Sequence, residues 1–327
     1  MKPLGTPIIN APASALLWIG RQGTKAVAAL VIIGIVVPPI GAMFKPYLTE
    51  AVFALLCLAF LQMDVTAAKN YIRRPAVVLA ATLWTSVGIP CLFGVICLAF
   101  GVNKQAPELF LALMLQAVAS PMMASPALAT LMGLDATLVL VTLIASTALI
   151  PLTAPLFALA FVGTALSVSP LALGVRLFAV IAGAALAGFT IRRIAGPAAI
   201  ERHNEKINGI NILVLFVFVA VIMENVGVRF LGSPATTIAI AALSFLVFFT
   251  VLLLTALLFL PANRERSLAL GFMASQRNMG LMLAVTGGVL PDLTWLYFAL
   301  SQFPIYLSPH LLQPLTKWVL GGSGRSK

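Results

Sequence analysis

Met273-Ala-Ser-Gln-Arg-Asn-Met-Gly280 decides how this chain is read. It lies in an apolar segment bounded by Arg266 and Asp292, and the 25 residues between those charges hold one ionisable side chain, Arg277. A run of that length crosses a bilayer, which puts Arg277 near mid-depth. A charge there is costly, by several kcal/mol even on lenient insertion scales. Ser275, Gln276, Asn278 and Gly280 around it are polar or small. A lipid-facing helix gains nothing from such a cluster. A helix that opens its backbone onto a cavity can use it. The functional reading is a substrate or ion site at the midplane. The structural alternative is an arginine that snorkels or pairs with a carbonyl.

Composition agrees with a membrane setting. Of 327 residues, 61% are hydrophobic and 9% charged, against about 25% charged in a soluble domain. The net charge of +11 is spread through short connections. That pattern sets topology and excludes a nucleic-acid partner. Cys57, Cys91 and Cys97 read as small core residues. No metal-ligand spacing involves them or His203 and His310, so no metal or cofactor is expected.

Spans are read between the charges: 26–44, 47–68, 75–101, 107–133, 136–164, 170–191, 207–230, 234–262, 267–291 and 292–317. Runs this long and unalternating suit helices and not barrel strands. With the N-terminus inside, inner segments carry 15 Lys and Arg and outer loops 3, Lys45, Lys104 and Arg229. Both termini are therefore expected in the cytoplasm, in a bacterial inner membrane. Arg176 is read as snorkelling outward. Glu224 and Arg229 are read as an interfacial ion pair. Gln62 is read near a cavity and Asp64 at the interface. Thr85, Ser86, Ser146, Thr147 and Thr153 are as readily explained by bonds to their own helices.

The expected organisation is an interfacial leader over 1–25, a first five-helix repeat over 26–165 and the start of a second over 166–193. A cytoplasmic connection over 194–206, the rest of the second repeat over 207–318 and a tail over 319–327 complete it. Five spans per half make the halves inverted. The fourth helix of each is interrupted, by Ser120-Pro-Met-Met-Ala-Ser-Pro126 and by Ser275-Gln-Arg-Asn-Met-Gly280. Paired interruptions are the best sequence pointer to a transporter site. Prolines free carbonyls one turn earlier, and half-helix ends bind charged or polar groups. The expected fold is an all-α polytopic membrane protein of ten transmembrane helices, two inverted repeats with helices 4 and 9 broken. Candidate substrate contacts are Arg277, Asn278, Gln276, Ser275, Ser120, Ser125 and Gln116.

Several stretches carry a family resemblance. Phe60-Leu-Gln-Met-Asp-Val-Thr66, Arg73-Arg-Pro75 and Gly88-Ile-Pro90 resemble the second and third helices of the bile acid:sodium symporter family. Ser120 to Asp135, Leu149-Ile-Pro-Leu-Thr-Ala-Pro155 and Arg277-Asn-Met-Gly-Leu281 resemble its broken fourth helix, the end of its fifth and the motif of its ninth. The resemblance implies a panel domain of helices one, two, six and seven, a core holding the crossed helices, and organic-anion transport by alternating access. It also implies sodium sites, and there the residues depart. The family's Ser-Asn pair falls on Ser125 and Pro126, its fifth-helix hydroxyls on Val139 and Leu143. Its Glu and Gln of the ninth helix fall on Met273 and Arg277, and a third-helix Gln falls near Thr85. Proline, valine and leucine offer no oxygen, and methionine is a poor ligand for a hard cation. The reading is a secondary transporter of a small organic anion working without sodium. Sodium-coupled symport is the alternative. A non-transporting receptor or an intramembrane enzyme is the reading from another class.

Overall fold

The computed structural model describes residues 24–63, 75–163, 166 and 168–323. Most of the expected leader, Asp64, Arg73, Arg74 and the tail beyond Ser323 lie outside them. Among the described residues every regular element is helical, and the one strand-like pairing is an isolated bridge. Among the described residues six helices are long and apolar enough to cross a membrane: Pro38–Gln62, Ala76–Ala99, Ala136–Val162, Pro170–Ala195, Asn204–Gly232 and Pro234–Leu258.

The other expected spans are cut, each for a local reason. Thr24–Val36 stops before Pro38–Phe44 because Val37 precedes a proline and takes φ −121°, ψ 71°. The run over 107–133 divides into Pro107–Val118 and Ser125–Leu131. The run over 267–291 begins earlier and divides into Arg264–Ser275 and Met279–Val285. The last expected span is Asp292–Leu300 followed by Gln302–Ser323, so helix continues past position 317. The connection over 194–206 is largely helical, with Pro197–Arg202 between two long helices.

The chain forms two compact units interleaved in sequence. The smaller draws on Met1–Met63 and Ala184–Gly227, which covers parts of the first, second, sixth and seventh expected spans. In it Thr24–Val36, Pro38–Phe44 and Leu48–Gln62 all pack against Asn204–Met223. Close approach is possible because Gly41 has no side chain: a Cβ there would lie 2.4 Å from the Ala220 carbonyl oxygen. Glu224 pairs with Lys45 at 3.5 Å, and not with Arg229 as the sequence suggested. Gln62 donates to Asn204 Oδ1 and Asn208 Oδ1, each at 2.8 Å, so its amide serves helix packing.

The larger unit draws on Asp64–Gly183 and Val228–Lys327 and holds all four broken-helix pieces. Its packing is reciprocal. Pro107–Val118 packs on Asp292–Leu300, and Arg264–Ser275 packs on Ala136–Phe157. Each contact has a polar clamp. Glu108 Oε2 accepts from Leu293 N at 3.0 Å, and the Glu108 carbonyl accepts from Thr294 Oγ1 at 2.7 Å. Arg266 lies 3.7 Å from Asp135, whose other oxygen caps the next helix through Leu138 N at 2.9 Å. Arg229 pairs with Asp292. Arg176 Nη1 donates to the Val285 carbonyl at 3.1 Å, closing the end of a half-helix that would otherwise show a bare carbonyl.

Candidate functional site

The two breaks meet. Met122 N donates to the Gln276 carbonyl and Asn278 N to the Ser120 carbonyl, both at 2.8 Å. These bonds flank the facing residues Pro121 and Arg277, which form an antiparallel bridge. Two extended segments inside helical surroundings thus satisfy part of each other's freed backbone, as a non-aqueous interior requires. Asn278 adds a cap, its Oδ1 accepting from Leu281 N at 3.1 Å. Ser275 Oγ turns back to the Phe272 carbonyl at 2.8 Å.

Side chains alternate across such a bridge. Arg277 projects with Pro121 on one face; Ser120, Met122, Gln276 and Asn278 project on the other. The partners agree. Arg277 Nη1 reaches the carbonyls of Ala119 (2.9 Å) and Thr85 (3.4 Å). Gln276 Nε2 reaches Ser308 Oγ (2.6 Å) and the Ile305 carbonyl (3.4 Å) on the Gln302–Ser323 helix. The sequence candidates therefore divide between two faces. Gln116 is buried one turn before the break and accepts from Tyr297 Oη. That bond ties the Pro107–Val118 helix to Asp292–Leu300.

The Thr85 carbonyl is free for a reason that the sequence holds. Residues Trp84–Gly88 form a π-helical turn, and Ile89 N bonds the Trp84 carbonyl five residues back. The next donor in that register would be residue 90, which is Pro90 and has no N–H. The carbonyl left over is that of Thr85. The turn is pinned by Trp84 Nε1 donating to Thr255 Oγ1 at 2.8 Å.

Arg277 is buried, and its Nη2 has no partner among the described residues. Other buried polar atoms in the larger unit share that state: Ser120 Oγ, Ser125 Oγ, Gln276 Oε1, Tyr306 Oη and the hydroxyls of Thr82, Thr85, Thr142, Ser146 and Thr147. A group left dry in this way costs about 1–3 kcal/mol, more if charged. Most other hydroxyls in the helices behave differently. Thr130, Thr153, Thr237, Thr286, Ser301 and Thr316 bond carbonyls three or four residues back. Among the described residues no group of three or more His, Cys, Asp or Glu side chains could hold a metal ion.

A family model described as the sodium bile acid symporter family matches residues 49–233. The chain belongs to that family. It is an integral membrane protein of the secondary-transporter type found among sodium bile acid symporters, and its setting is a lipid bilayer with a small organic substrate. The symporter-family match includes the first break, with Gln116, Ser120 and Ser125, and ends before the second. Arg277 lies outside it. No curated protein matches the chain in sequence.

Proposed function

We propose that this symporter-family member carries a small organic anion by alternating access, with Arg277 as a permanent positive charge in place of bound sodium. The observation that carries the reading is the guanidinium itself. It is buried, held through Nη1 by two uncharged carbonyls, with Nη2 unpartnered among the described residues. A buried charge without a counter-ion is strongly unfavourable, and an anionic substrate removes that penalty with charge-assisted hydrogen bonds. The segment 267–291 contains no acid, and Pro126, Val139 and Leu143 have no side-chain oxygen. A sodium ion a few ångströms from the guanidinium would be repelled by several kcal/mol at an effective dielectric of about 20. Ser125 offers a further polar contact, while Ser120 and Gln276 lie on the opposite face of the bridge. Ser275, Asn278 and Gln116 hold the breaks in shape.

The reciprocal packing of the larger unit supports ten helices in two inverted repeats, because exchanging the halves maps one broken-helix contact onto the other. The Lys and Arg asymmetry supports cytoplasmic termini. In a cysteine-free background, Asn204→Cys is expected to stay unlabelled by an impermeant thiol reagent in intact cells. Labelling from outside would reverse the orientation.

The family match favours one competing reading, sodium-coupled symport. Substrate flux in proteoliposomes over a sodium titration decides between them. Flux is expected to persist when choline or potassium replaces sodium. A steep, saturable sodium requirement would overturn the tethered-cation reading.

A further inference from the structure

The hydroxyls that fail to bond their own helices are not scattered. Thr82 and Thr85 lie one turn apart in and beside the π-helical turn, and Thr142 and Ser146 one turn apart on Ala136–Phe157, with Thr147 beside them. The Ala136–Phe157 helix packs against both Pro75–Leu83 and Trp84–Gly88. All five side chains are buried, Thr142 at 0% and Ser146 at 1% exposure, and none of their oxygens has a partner among the described residues. Thr153, two turns further along the same helix, does bond back to Leu149 at 3.2 Å. The helix therefore permits the ordinary arrangement, and the upstream hydroxyls depart from it. Thr85 links this group to the charge, since its carbonyl accepts from Arg277 Nη1 while its hydroxyl stays open.

We infer that these hydroxyls receive the body of the substrate, so that the anion held by Arg277 is compact and polyhydroxylated, a sugar-acid-like carboxylate. A hydroxyl both donates and accepts, so a ladder of Ser and Thr matches hydroxyl groups of either orientation. An alkyl or ring-hydrocarbon body offers the rungs no partner. Sites built around substrate hydroxyls reject analogues that lack them far more strongly than apolar pockets reject small size differences.

This inference rests on the anion-binding reading, and the test separates the two. The purified full-length protein is titrated by thermal shift with matched pairs, glycerate against propanoate and gluconate against hexanoate. At least one hydroxylated member is expected to bind at least tenfold tighter than its counterpart. Thr142→Val and Ser146→Ala are each expected to bring that ratio toward one. Equal binding within both pairs, lost in Arg277→Gln, would overturn the hydroxyl ladder and leave the anion site standing, its hydroxyls then served by water. Binding of none of the four anions would overturn both.

Discussion

Replacing Arg277 with glutamine is expected to weaken anion binding by roughly 10- to 100-fold, the span that one charge-assisted hydrogen bond is worth. The accompanying change in stability has a sign that tests the reading. In the ligand-free protein the guanidinium is buried with no acidic partner among the described residues, and its Nη1 rests on the Ala119 and Thr85 carbonyls. Removing an uncompensated buried charge relieves its desolvation penalty. A glutamine amide keeps a donor for one of those carbonyls. The ligand-free variant should therefore hold its melting temperature or gain, while the anion-induced shift disappears. A purely structural arginine would give the reverse, a fall in melting temperature with binding preserved. Arg277→Lys should be only partly active, because a point charge cannot reproduce the planar fork that serves carbonyls on one nitrogen and substrate on the other. Neither variant should acquire sodium dependence, since no carboxylate lies within 267–291.

Gly271→Ala should destabilise the protein by about 1–3 kcal/mol, the usual range for overfilling a packed contact. A Cβ at Gly271 would lie 2.6 Å from the Leu252 carbonyl oxygen and 3.2 Å from Ala256 Cβ. The obstruction is backbone on the Pro234–Leu258 helix, so no rotamer change relieves it. Helices in a bilayer associate largely by such close contacts of small residues. Gly271 also lies one turn before the second break, so a forced shift displaces Gln276 and Arg277 with it. Flux should fall along with melting temperature. Gly232 is the control. A Cβ there meets nothing within 4 Å, and Gly232→Ala should be neutral or slightly stabilising through reduced freedom of the unfolded chain. Equal behaviour of the two variants in a melting experiment would refute the packing argument.

Much of the site region was legible because charges and prolines punctuate the chain. Pro121, Pro126 and the polar run through Asn278 mark both breaks, and the helices do stop there. Periodicity could not give their pairing. The bonds joining 120 to 278 and 122 to 276 belong to the backbone, which carries no residue-type signal. The division of Arg277 and Gln276 between two faces follows from that pairing, so the sequence listed them together as one cluster. The partner of Arg229 was misread for a related reason. It depends on which helix end comes close, and Asp292 is not near in sequence. The free Thr85 carbonyl was half legible. Pro90 announces a missing donor, but only the π register says which carbonyl loses its partner.

The contact between the breaks also has a consequence for biosynthesis. Arg277 and Ala119 are 158 residues apart in the chain. At about 5–20 residues per second, the first break leaves the ribosome roughly 8–30 s before its partner exists. During that interval Ser120 and Ala119 present carbonyls, and Ser120 and Ser125 hydroxyls, with nothing from the second break to meet them. Water in the insertion machinery or at the headgroup layer has to serve them meanwhile. The first broken helix is therefore expected to settle fully in the bilayer only as a late event, after the arginine-bearing segment has been made.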